Sequence, residues 1–174
     1  MATPNWHGKN LELIREASRH GEAMLAAQVQ IATSADQRAS VLAGIYAAMA
    51  TGIMGAIAAH GSFAGQWPLA AAAAIAALAY LIGAGLCIAA TLPVAFWPPG
   101  NQPSEWYSDI ETNRPLEEAV GEQAAHFDQH IAENNQVLSR NARRFLAGAV
   151  IGITAPLSGL LAAGAVSLLL PQFT

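Results

Sequence analysis

The chain has 174 residues, 53% of them hydrophobic and only 11% charged, well below the roughly 25% charged residues of an ordinary soluble domain. Its twenty Asp, Glu, Lys and Arg residues leave two stretches empty, 39–104 and 145–174, of 66 and 30 residues. Each exceeds the roughly 20 residues that cross a bilayer core as helix, so the composition points to a membrane-embedded chain and away from an ordinary soluble domain, and no DNA or RNA partner is expected.

Residues 8–38 are expected to form a cytoplasmic helix, with Leu11, Ile14, Ser18, Gly21, Leu25, Gln28, Ala32 and Ala35 at alternating steps of three and four. The stripe is only half apolar. It suits packing on a partner better than lying on a lipid surface, because Lys9, Glu12, Arg15, Glu16 and Glu22 mix both signs. No apolar core of a signal peptide occurs in this stretch.

The first uncharged stretch splits at the 60–68 run HGSFAGQWP, which is rich in turn-forming residues. Spans are predicted at 41–59 and 69–97, the second closed by Pro98, Pro99 and Gly100. Span one repeats small residues on two faces, Gly44, Ala48, Gly52, Ala56 and Ala43, Ala47, Thr51, Gly55, a pattern that lets helix backbones approach closely. Cys87 lies mid-span with no second cysteine to pair with. Residues 98–114 read as a loop whose Trp106 and Tyr107 dock at the membrane interface or on the next helix.

From Pro115 a seam begins. Val120, Ala124, Phe127, Ile131, Asn134, Leu138, Asn141 and Phe145 alternate steps of four and three, as in a coiled coil. Glu117 and Glu118 stand near its start and Arg140, Arg143 and Arg144 where it meets the second uncharged stretch. This coiled-coil-like helix, 115–144, is expected to run on as one rod into a third span at 145–170. A kink is expected at Pro156, with Thr154 and Ser158 nearby to satisfy freed backbone groups. Val120, Ala124, Phe127, Ile131, Leu138 and Phe145 are the predicted assembly residues. Asn134 and Asn141 on the same seam are suited to selecting register.

His126 and His130 share a helical face, and Glu122 precedes them by a turn. Two such ligands without a third strong one or a nearby cysteine do not close a site, so no metal is expected. No phosphate loop, dinucleotide fingerprint, nucleophile elbow or paired-cysteine motif occurs. No enzyme activity and no cofactor are expected.

Basic residues precede span one (Lys9, Arg15, Arg19, Arg38) and lie between spans two and three (Arg114, Arg140, Arg143, Arg144). By the positive-inside rule the N-terminus and the central segment are cytoplasmic and the C-terminus lies across the membrane. The fold class is an all-α integral membrane protein forming a single membrane domain over 1–174.

The order of parts resembles a known family. It rests on the run Ala35-Asp36-Gln37-Arg38-Ala39-Ser40 entering span one, a second span ending in prolines, Trp106-Tyr107-Ser108-Asp109, and a charged helix with Gln129, Asn134 and Asn135 before Arg143-Arg144 and the last span. The chain is similar, over about residues 30 to 160, to the small transmembrane effectors of bacterial antiphage signalling, the Pycsar transmembrane effector group and its two-span SLATT-type relatives. Where that family tends to carry Asp-x-Lys-Ala, this chain has Asp36-Gln37-Arg38-Ala39. The resemblance implies a bacterial inner-membrane protein that is quiet until a cyclic nucleotide made during infection promotes homo-oligomeric assembly and loss of membrane integrity. It also makes Asp36, Arg38, Asn134, Arg140, Asn141 and Arg143 candidates for ligand response or gating. Asp36 and Arg38 also read as helix-end charges, and Arg143 and Arg144 as interfacial anchors. A structural accessory subunit of a larger membrane complex, or a small homo-oligomeric channel, remains the alternative.

Overall fold

The computed structural model describes residues 5–59 and 66–169. Among the described residues four helices follow in order, α1 (Leu11–Ala59), α2 (Trp67–Ala90), α3 (Tyr107–Glu111) and α4 (Leu116–Leu169), with a 3-10 turn at Pro103–Trp106. No strand occurs among the described residues, and α1, α2 and α4 are each long and apolar enough to cross a membrane. Most of the 60–68 turn, and Leu170 at the expected end of span three, lie outside the described residues.

The helix ends follow local chemistry. Asn10 caps α1, its Oδ1 accepting from the backbone N–H of Glu12 at 2.9 Å and of Leu13 at 3.4 Å. The predicted cytoplasmic helix and span one are continuous in α1, since nothing between them breaks the backbone ladder. Helix α2 ends at Ala90 and not at Trp97. Pro93 disfavours the helical conformation at Leu92, and the Thr91 hydroxyl donates to the Ile88 carbonyl at 3.0 Å. The expected loop 98–114 contains the 3-10 turn and α3. Asn113, at φ 50°, closes α3 while the Arg114 N–H reaches back to the Asp109 carbonyl. Trp106 is half-buried, but Tyr107 is 61% exposed and does not dock on the chain.

Helix α4 runs unbroken through Pro156. That proline cannot donate to the Gly152 carbonyl, and the nearby hydroxyls do not take over this group. Thr154 donates to Val150 and Ile151, and Ser158 to Ala155.

Packing divides the chain into two compact units. One comprises Met1–Ser34 with Val94–Ser139, the other Ala35–Pro93 with Arg140–Thr174. In the first, α1 and α4 pair in parallel around Leu25, Phe127 and Ile131. Gly21 lies so close to Phe127 that a Cβ there would stand 2.9 Å from the Phe127 Cβ.

The second unit is packed with small residues inside and large ones outside. Ala39, Ala43, Tyr46 and Ala50 of α1, Ala76, Ala77, Tyr80, Gly83, Ala84 and Cys87 of α2, and Gly148, Gly152, Ala155 and Gly159 of α4 are buried. Leu78, Leu81, Ile82, Ile88, Leu146, Ile153, Leu157 and Leu160 are exposed. In water this distribution would leave most of the hydrophobic free energy unrealised. In lipid, which solvates leucine as well as leucine does, close backbone approach decides helix contacts. The second unit is therefore built for a bilayer. On span one Ala43 faces inward, whereas Gly44, Ala48, Gly52, Gly55 and Ala56 are exposed, because Tyr46 and its helical neighbours set the inner face.

Candidate functional site

The polar centre of the first unit is a buried amide network. Asn134, 1% exposed, accepts from the Trp97 backbone N–H at 2.9 Å through Oδ1. Its Nδ2 donates to the Trp97 carbonyl at 3.0 Å and to Gln28 Oε1 at 3.1 Å. Gln28, 5% exposed, donates through Nε2 to the Ile131 carbonyl at 3.1 Å and to Asn135 Oδ1 at 3.0 Å. One carboxamide thus grips the main chain of the segment that follows α2, and a second ties α1 to α4.

The Trp97 side chain strengthens the grip. Its ring stacks on His130 with centroids 4.1 Å apart and planes 5° from parallel, and its indole N–H donates to Glu133 Oε2 at 2.6 Å. Glu133 is also bonded by Gln129 at 2.8 Å. Those donors, Gln129 first and Trp97 second, hold the Glu133 carboxyl below the usual carboxylate range. Burial pushes His130 below the ordinary imidazole range, against the opposing pull of Glu133. His130, Trp97 and Glu133 thus form one contact cluster on the outer side of the amide network.

A second cluster fixes the start of α4. Arg114 pairs with Asp109 at 3.2 Å, Glu118 at 3.6 Å and Glu122 at 2.5 Å, and hydrogen bonding by Glu122 raises its pKa. His7 Nδ1 contacts Glu118 at 2.9 Å, and Gly121 leaves room for the Trp6 ring.

In the second unit, Tyr46 donates its hydroxyl to the Ala149 carbonyl at 3.0 Å, its ring lying where a Cβ on Gly152 would stand. Arg144 donates to the Ala89 carbonyl at 3.0 Å, satisfying the C-terminal end of α2.

Of the candidates for ligand response, Asn134 belongs to the first unit and Asp36, Arg38, Arg140, Asn141 and Arg143 to the second. Asp36, Arg38, Arg140 and Arg143 are exposed. Asn141 is half-buried, and its Oδ1 is enclosed without a hydrogen-bond donor. Among the seam residues Val120, Phe127 and Ile131 are buried, and Ala124, Leu138 and Phe145 half-buried. The Phe127 and Ile131 part of the seam meets α1 of the same chain. His126 is exposed, and no group of three metal-ligating side chains occurs among the described residues.

Sequence reasoning weighs His130 only as a metal ligand beside His126 and does not single out Trp97 or Glu133 as site residues. Trp97 counts as the end of a span, and only the structure turns it towards α4. Gln28 carried a signal, a long amide on the apolar stripe of one helix matching Asn134 on the stripe of another.

The family model described as the Pycsar effector protein domain matches residues 20–170. Among curated proteins and among solved structures, none matches the chain.

Proposed function

From the premise that the chain belongs to the Pycsar effector family, and so is a bacterial antiphage defence effector located in a membrane, we propose how it acts. It lies in the inner membrane with a cytoplasmic N-terminus and cytoplasmic 98–144 region, stays quiet in uninfected cells, and assembles into homo-oligomers that impair the membrane when a cyclic nucleotide appears. The protein acts by assembly and catalyses no reaction. The observation that carries this reading is the extent of the match, which takes in α2, α4, α1 from residue 20 onward and the residues of the amide network together. The orientation rests on basic residues at both cytoplasmic approaches.

In this mechanism the clasp at Asn134 is the restraint. Its amide bonds are occupied in the quiet state, so a ligand acts by shifting the population in which Trp97 is held, and only by as much as it binds the released state better. Purified protein in liposomes, challenged with a panel of 3′,5′-cyclic mononucleotides, tests this. One nucleotide should raise both dye leakage and oligomer mass. If none changes either quantity, the reading fails. Reporter fusions at residue 110 and at the C-terminus test the orientation separately, with opposite sides expected.

A further inference from the structure

Charge is divided unequally between the two units. The first carries four basic residues against eleven acidic ones, the second four arginines against Asp36 alone. Three of those arginines, Arg140, Arg143 and Arg144, fall within five residues of α4. At spacings of three and four they share one helical face.

Their level in the second unit follows from Arg144. Its guanidinium bonds the Ala89 carbonyl, one residue before α2 ends at Ala90, so Arg144 lies level with the end of that apolar helix. At 1.5 Å per residue Arg143 stands about 1.5 Å and Arg140 about 6 Å from Arg144 towards the N-terminus of α4, on the side away from the apolar part of the helix. That displacement matches the headgroup layer, roughly 5–8 Å on each side of a ~30 Å hydrocarbon core. Beyond Arg144, the apolar part of α4 is long enough to cross the core. Arg140 and Arg143 are exposed and have no ion-pair partner among the described residues, unlike Arg19 and Arg114 with their carboxylates.

We propose that Arg140 and Arg143 form a binding site for the phosphodiester headgroup of an acidic phospholipid, with Arg144 fixing their height. Guanidinium forks match phosphate oxygens two at a time, and arginine sheds water more readily than lysine. The occupant is a membrane lipid because the site stands at headgroup height beside exposed apolar side chains such as Leu146 and Val150. The proposal is independent of the nucleotide mechanism and gives these two arginines a different ligand.

Native mass spectrometry of the full chain in mild detergent, titrated with dioleoyl-phosphatidylglycerol or dioleoyl-phosphatidylcholine, tests it. An arginine near an anionic surface contributes about fivefold, so the pair should give wild type a preference for phosphatidylglycerol of up to about thirtyfold. R140Q/R143Q should bring the two lipids to parity, and R140K/R143K should fall between, keeping charge but losing the fork. Equal binding of both lipids by wild type overturns the proposal without recourse to any variant. So does a preference that survives R140Q/R143Q, or a double variant whose lipid preference is unchanged while its oligomer mass falls, which would place the arginines against a second copy.

Discussion

The carboxamide of Asn134 holds both main-chain groups of Trp97, accepting its N–H at 2.9 Å and donating to its carbonyl at 3.0 Å. A side chain gripping the backbone of a distant segment works like a missing strand partner, and here the gripped segment is the exit from α2. The contrast with Asn141, on the same seam but with a buried Oδ1 that has no donor, separates two amides that look alike in sequence.

Replacing each by leucine should therefore move stability in opposite directions. Asn134→Leu strands buried Gln28 Oε1 and removes both bonds to the part-buried Trp97 main chain, at a cost of about 3 kcal/mol. Asn141→Leu removes an unsatisfied acceptor and should stabilise by about 1 kcal/mol. Thermal unfolding in detergent measures both. Shifts of the same sign would mean that hydrogen-bond satisfaction does not distinguish the two sites.

The clasp should weaken in acid. His130 has its folded pKa lowered by burial, so the fold favours the neutral ring. The contribution is complete above the unfolded value, about 6.5, and is lost as pH falls through 6.5 towards the folded value. Trp97 fluorescence followed between pH 8 and pH 5 should report the loosening, and His130→Phe should flatten the profile while keeping a stacked ring. An unchanged wild-type profile across that range would count against the stack as a titrating contact.

Close helix approach in the second unit depends on missing side chains. A Cβ on Gly148 would stand 2.8 Å from the Gly83 carbonyl oxygen and 2.9 Å from Cys87 Sγ, neither of which is the end of a flexible chain. Gly148→Ala should push α2 from α4 at a cost of about 1–3 kcal/mol. Gly44→Ala, with open space around it, should leave stability within about 0.5 kcal/mol of wild type or raise it slightly. Paired unfolding curves for the two variants decide whether α4 or the open face of α1 carries the packing within the chain.

Ile131 packs against Leu25 and Phe127 of its own chain. Ile131→Asp places a carboxylate in that apolar contact and should cost several kcal/mol, first disrupting the α1–α4 pairing within a protomer. Protease sensitivity near residue 25 should rise even at dilutions where no oligomer persists. Protection that is unchanged in the dilute variant would show that the seam's important partner is another chain.

Periodicity and hydropathy, read along the chain, determined much of this. Three apolar helices, the unbroken course of α4 from the seam into the last span, and the stripe on α1 follow from residue spacing, because helix geometry maps a one-dimensional period onto a face. The family motifs too are local runs. The site was a different matter. Asn134 meets Trp97 across 37 positions and Gln28 across 106, and no local pattern states which distant donor a buried amide will find. The sequence also allowed α2 to continue to Trp97, whereas the helix stops at Ala90, three residues before Pro93. Span one offered small residues on two faces, and only the bulk of Tyr46 against Gly152 and Ala149 decided which face turned inward. Period and polarity act over a few residues and are written in their order. Partner choice and orientation arise from satisfying buried groups and filling space in three dimensions, and the folded chain alone settles them.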